Sequence, residues 1–337
     1  MIDHYQENEI QALIVLAELT NPIETPNNNF YTFYPKNVQE AQTYFRRFAL
    51  DLTGVYETLQ TKELVIREND QYHLTDSGRH VAAEIRRDRP PIWYFYKDFY
   101  EAIETSLAFS DYCRHVFGRD LSQHGFSDLN QLHKMLALVN LTSASQVLDI
   151  GCGNGKIAEY ISDLTQASVT GIDYAPAAIT QAVQRTQSKK DRLRFYVGNI
   201  GDLNFEDESF DMILSIDSIF FGKDLETTLQ RLKSLLKHGG QMAIFCGDDL
   251  SVALQQNGLS YEVYDLSREN YEHLQLKHQV AGELQESFAA EGNTFIWENL
   301  MAESRIGSAP YNPTDPFLAR FLYHVKNEAI LSEKLEN

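Results

Sequence analysis

From Ser145 onward, short apolar runs alternate with stretches of helical period. "QVLDI", "SVTGID", "LRFYVG", "FDMILSID", "GGQMAIFC" and "SYEVYDL" read as strands. Between them, "KIAEYISDL" sets Ile157, Ile161 and Leu164 on one helical face, and "APAAITQAVQRT" aligns Ile179, Ala182 and Val183. "DLETTLQRLKSLLK" turns Leu225, Leu229, Leu232, Leu235 and Leu236 inward, and "DLSVALQQNG" is a further helix. This order is that of a parallel sheet with crossover helices. Residues 267–302 break the alternation with a helical insertion, and "FLARFLYHVK" is the candidate last strand.

The first 90 residues follow another pattern. "IQALIVLAEL" predicts an amphipathic helix, and "TNPIETPNNNFYTFYPKN" a loop. "VQEAQTYFRRFALDLTGVYETLQ" returns to helical spacing. "ELVIRE" and "QYHLT" alternate as strands about a Glu68-Asn69-Asp70 turn, and a helix with Val81, Ala82 and Ile85 on one face follows. Two helices, a hairpin and a helix resemble a winged-helix module, serving as a dimerisation unit or a lid. Pro90-Pro91 marks a boundary. Residues 91–140 are an aromatic helical lead-in, 141–327 the sheet domain, and 328–337 a polar tail.

Charge narrows the range of partners. The 337-residue chain carries a formal net charge of −19. Its first 90 residues hold nine lysines and arginines against fourteen acidic residues, although Arg46, Arg47, Arg79, Arg86, Arg87 and Arg89 can still cluster in space. Nucleic acid and anionic membranes are disfavoured partners, because phosphate contacts need concentrated basic charge. No apolar run reaches the length of a membrane span. The three cysteines, Cys113, Cys152 and Cys246, are far apart and form no metal-binding pair, which fits a reducing cytoplasm. No metal site is indicated.

Three glycines crowd "VLDIGCGNGKIAEYI" directly after the first strand of the sheet, where open α/β sheets bind ligands. The spacing fails the mononucleotide loop pattern. Gly151 and Gly153 fit a dinucleotide fingerprint, but its last glycine position is Lys156. Asp149, Gly151, Gly153 and Gly155 suit S-adenosylmethionine: an acid for the ligand's ammonium, then backbone open to close approach. Asp173, ending the second strand of the sheet, is placed to accept both ribose hydroxyls; a dinucleotide would use the same acid, so Asp173 alone does not discriminate.

"VLDIGCGNGKIAEYI", "VTGIDYAPAAITQAV", "RFYVGNIGDLNFEDESFDMILSIDSI" and "LKHGGQMAIF" together resemble the successive motifs of class I S-adenosylmethionine-dependent methyltransferases of small molecules, over about residues 130–265. The resemblance implies an α/β, Rossmann-like seven-stranded sheet, mostly parallel with the last strand antiparallel, here with the winged-helix-like N-terminal domain and helical cap insertions. It implies S-adenosyl-L-methionine as cofactor, with S-adenosyl-L-homocysteine as product. It places Asp149, Gly151, Cys152, Gly153, Gly155, Asp173, Tyr174, Asn199, Ile200 and Ser215 about the cofactor. Two departures stand out. Asn199 occupies the position usually acidic beside the adenine amine, and His238 precedes Gly239-Gly240 where proline is usual; His238 reads as a turn residue.

Methyl transfer from a sulfonium is an in-line displacement that needs alignment more than acid–base chemistry. The catalytic candidates are Asp217 at the exit of the fourth strand of the sheet, and Tyr112 and His124 in the lead-in; His115 is a weaker one. Asp217 can equally cap the following turn. "WYFYKDFY", residues 93–100, can wall a cationic amine or simply pack. Cys152 reads as a small structural residue, since this chemistry needs no covalent intermediate. The reading is a cytoplasmic methyltransferase, a candidate homodimer, acting on N or O of a neutral or cationic small-molecule acceptor. An S-adenosylmethionine-sensing DNA-binding regulator and a nicotinamide-dependent oxidoreductase remain as alternatives.

Overall fold

A computed structural model describes residues 4–20, 54–69, 71–89, 93–222 and 224–327. The loop expected after the first helix, Arg46, Arg47, Asp70, the Pro90-Pro91 pair and the 328–337 tail lie outside them. The chain forms two compact units, Met1–Asp98 and Phe99–Asn337, so the division falls inside the helix Trp93–Ile103 rather than at the prolines.

In the first unit, helices Glu7–Thr20 and Val55–Thr61 precede an antiparallel hairpin of β1 (Val65–Glu68) and β2 (Gln71–Leu74) and a helix, Asp76–Asp88. Thr75 caps that last helix by accepting from the Gly78 amide at 3.0 Å. Ala82 and Ile85 are buried there, with Val81 at the margin. The first helix differs from its expected amphipathic form. Every residue from Glu9 to Leu16 is buried, and Glu9 is neutralised by Lys62 at 2.6 Å. A helix apolar all round belongs inside a core. Three of the arginines weighed as a basic face are engaged within the unit: Arg79 with Asp76, Arg87 with Glu84, Arg89 with Glu7.

The second unit is built on a seven-stranded sheet, in spatial order β5–β4–β3–β6–β7–β9–β8. Its strands are β3 (Gln146–Ile150), β4 (Ser168–Asp173), β5 (Leu193–Val197), β6 (Phe210–Ile216), β7 (Leu236–Cys246), β8 (Ser260–Asp265) and β9 (Phe321–Lys326). β3 through β7 pair in parallel, while β9 runs antiparallel to both β7 and β8. The last strand is thus the antiparallel one, as expected. Alternating side chains feed two cores: Val147, Val169 and Leu214 on one face, Leu148, Ile172 and Ile213 on the other.

Three helical readings shift. Leu164 and Val183, expected inward, are 55% and 44% exposed, because Ala158 with Ile161 and Ala178 with Ile179 and Ala182 make the buried faces. The leucine helix ends at Leu235, and Leu236 already belongs to β7. His238-Gly239-Gly240 lies within that strand, at a register irregularity opposite Phe210 and Met212. Lead-in helices Leu107–Phe117 and Leu129–Leu138 precede the sheet, and helices Ser267–Glu283, Gln285–Ala290 and Thr294–Ser304 stand between β8 and β9.

Candidate active site

The strand order reverses between β3 and β6, and the glycine loop opens at that switch point. The Gly151 and Cys152 amides both donate to the Ile172 carbonyl of β4, at 2.8 and 2.9 Å. Asp173 then grips the loop: its carboxylate accepts from the Gly153 and Ala175 amides, each at 2.9 Å. A Cβ on Gly153, whose φ is +55°, would lie 2.3 Å from the Tyr100 hydroxyl, so Tyr100 covers this turn. Gly155 has a different job. A Cβ there would strike the Phe195 ring at 2.5 Å and Ala182 at 3.1 Å. It lets the helix Lys156–Thr165 start flush on the sheet, which is helix packing rather than ligand approach.

Asp149 ends buried at the loop mouth, 3% exposed. Burial first, and the Asp173 charge second, push its carboxyl up to about 8. Burial raises Asp173 to about 6, against the pull of the two amides it accepts from. Burial and the same two acids raise the Cys152 thiol well above its usual range. Its sulfur would lie 2.7 Å from a Cβ on Gly171, which makes Cys152 a packing residue.

Of the other expected cofactor residues, Ser215 and Ile200 adjoin this loop. Ser215 Oγ bonds Ser218 Oγ at 2.8 Å, and Ser218 donates to the Ile150 carbonyl at 2.6 Å, tying β6 to β3. The Asn199 side chain accepts from the Gly201 amide at 2.9 Å. Ile200 is buried beside Gly151, and the Tyr174 ring meets Phe221 edge-on at 6.1 Å.

A cavity of about 60 Å³ sits over the loop. Tyr100, Leu121–Gly125, Ser127 and Ile216 line it opposite Asp149 and Gly151–Asn154. His124 is there; its Nε2 lies 2.8 Å from Asn299 Oδ1 and 3.4 Å from Glu303, with Phe99 against its ring. Tyr112 is not. It is fully buried against Phe109 and Phe117, and burial raises its phenol well above the usual range. His115 is exposed and bonds the Asp111 carbonyl of its own helix.

Asp217 has been drawn into a different task. Its carboxylate is clamped by Arg320, at 3.1 Å for one arm, and accepts from the Phe126 amide at 3.0 Å. Arg320 is 2% exposed and also donates to Ser127 Oγ at 2.6 Å. Lys277 is wholly buried; it donates to the Gly125 carbonyl at 2.9 Å, pairs with Glu303 at 3.3 Å and stands over the Phe126 ring. Two buried ion pairs therefore pin the 121–127 loop over the glycines.

Sequence reasoning missed Arg320, Lys277, Glu303, Asn299 and Gln123. Lys277 alone left a visible signal, a cation at helical spacing from Leu274 and Ala281.

A sheet of this order, with its glycine loop at the switch point and acids ending adjacent strands, defines the class I S-adenosylmethionine-dependent methyltransferase fold. Residues 141–300 match the family described as "Methyltransferase domain". Methyltransferase GfsG of Streptomyces halstedii is 30% identical over 126 residues, 37% of this chain and 44% of that protein. The chain spans less than half the length of the first curated relatives it matches. Among solved structures, the Haemonchus contortus phosphoethanolamine N-methyltransferase 2, bound to phosphomonomethylethanolamine and S-adenosylhomocysteine, superposes with TM-score 0.53 at 18% identity, covering 68% of this chain and 60% of that one. The cyclase SpnF gives 0.54 at 15% identity, over 71% and 98%. These structures share the fold.

Proposed function

We propose that the chain is an S-adenosylmethionine-dependent methyltransferase acting on an N or O atom of a small molecule. One observation carries this reading: among the described residues, the lining of the glycine-loop cavity includes a buried carboxylate and no lysine or arginine. A pyrophosphate would meet Asp149 with no compensating cation, whereas an ammonium and a sulfonium are welcome there. That argues against a nicotinamide dinucleotide. The donor set thus fits the cofactor: Asp149 for the ammonium, Asp173 for the ribose hydroxyls, Asn199 for the adenine amine.

S-adenosylmethionine supplies an already activated methyl group, so the protein's part is to bind, orient and exclude water. Tyr100 and the 121–127 loop would cover the reacting atoms. His124, oriented through Nε2 by Asn299 and Glu303, is the residue best placed to take an acceptor's proton. Asp217 holds the loop and is a positioning residue.

The acidic balance of the chain favours a small acceptor over a nucleic acid, and among the described residues no helix is long and apolar enough to cross a membrane. The N-terminal unit, with its hairpin between helices and with Arg79, Arg87 and Arg89 paired to acids, is read as a winged-helix-like dimerisation module rather than a DNA reader; light scattering in solution tests that. Calorimetric titration with S-adenosylhomocysteine, with reduced nicotinamide dinucleotide as control, tests the cofactor. Micromolar or tighter binding of the first alone is expected; binding of the second alone would return the dinucleotide reading.

A further inference from the structure

Gln123 is 5% exposed and lines the cavity with Asp149. Its Oε1 accepts from the Leu121 amide at 2.9 Å, which fixes the orientation of the side-chain amide. The opposite end is an NH2 group. That Nε2 is buried and has no hydrogen-bond partner, the only such side-chain atom on a described residue lining this cavity. A buried, unmet donor costs about 1–3 kcal/mol, and folded chains keep few of them. This one belongs to a residue that lines a space where a ligand group can enter.

The charge of that space says which ligand group belongs there. Asp149 calls for an ammonium. In an amino acid, a carboxylate sits on the same carbon and must be accommodated within the same small volume. The nearby cations are not available: Lys277 is held by Glu303 and the Gly125 carbonyl, Arg320 by Asp217 and Ser127. A neutral donor opposite Asp149 is what remains.

Resting on the methyltransferase reading above, we propose that Gln123 Nε2 donates to the carboxylate of the cofactor's methionine moiety, so that Asp149 and Gln123 together read its zwitterion. The contact comes from a loop outside the glycine motif. Lys277 and Glu303 on the helices between β8 and β9 hold that loop, and so act on the cofactor only through it.

The test is calorimetry on the full chain with two ligands, S-adenosylhomocysteine and 5′-methylthioadenosine. The second is the same nucleoside thioether without the amino acid. Gln123→Glu keeps the shape and the bond to Leu121 while replacing the donor by an acceptor. It should weaken S-adenosylhomocysteine at least about tenfold and leave 5′-methylthioadenosine unchanged. Gln123→Leu should also weaken the former selectively. An unchanged affinity for S-adenosylhomocysteine in Gln123→Glu overturns the proposal and hands the donor to the methyl acceptor instead. Equal losses for both ligands overturn it too, by showing a disturbed loop. Wild-type protein that binds both ligands equally well removes only the carboxylate contact. Wild-type protein that binds neither removes the parent reading and this one with it.

Discussion

At the scale of single residues, the two strand-end acids tie ligand binding to pH. Asp149 at about 8 and Asp173 at about 6 lie above their unfolded values. A raised folded value contributes stability that is complete below the unfolded pKa and is lost as pH climbs through the folded one. The ligand-free protein should therefore lose stability from Asp173 between about pH 4 and 6, and from Asp149 up to about pH 8. Binding an ammonium needs ionised Asp149, so it should release a proton at pH 7. Affinity for S-adenosylhomocysteine should rise between pH 6 and 8, by up to about tenfold per unit. Calorimetry in buffers of different ionisation enthalpy reads the proton directly. Asp149→Asn should bind more weakly and flatten this pH dependence; a slope equal to wild type would move the ammonium elsewhere. Gly155 offers a contrast in kind. Gly155→Ala should cost about 2–4 kcal/mol by driving a methyl into Phe195 and Ala182 at positive φ, read as a lowered Tm. A stability equal to wild type would return that glycine to ligand approach.

At the scale of elements, the 121–127 loop is held by side chains distant in sequence. Arg320→Met strands Asp217 in a buried setting and should cost about 3–5 kcal/mol, as breaking a buried pair does. Arg320→Met with Asp217→Leu should recover much of that loss while still freeing the Phe126 amide and Ser127. Faster hydrogen exchange at Phe126 in the double variant is the expected signature; unchanged protection would mean the latch lies elsewhere. The strands of this unit were legible because a sheet buried on both faces leaves continuous apolar runs bounded by polar turns. Asp149, Gly151 and Asp173 were legible because each sits at a fixed offset from such a run. The latch was not. Arg320 looks like a surface cation in one dimension, and only the return of β9 beside β7 brings it to Asp217, while Lys277 showed only its helical spacing from Leu274 and Ala281. Leu164 and Val183 misled because a helix packed on a sheet buries its small residues, Ala158, Ala178 and Ala182, and leaves a flanking leucine or valine to solvent. The first helix misled in the opposite sense, since Gln11 and Glu9 are buried with their partners rather than exposed.

At the scale of the whole molecule, the cyclase SpnF shows that a shared sheet leaves the reaction open, so activity must be argued from the site. Every side chain of that site lies in one unit: Tyr100, Gln123 and His124 before the sheet, Asp149 and Asp173 on it, Lys277, Glu303 and Arg320 after it. The first unit has a core of its own, in which Leu13, Leu59, Leu74 and Ile85 meet. Residues 93–337, cut so that the helix Trp93–Ile103 stays whole, should therefore fold and bind S-adenosylhomocysteine within about threefold of the full chain. The cut gives up the bonds that Tyr94 makes with Glu7 and Arg89, which belong to the first unit. Circular dichroism of the fragment checks folding before the titration is read. A folded fragment with much weaker affinity would mean that residues before Trp93 complete the site.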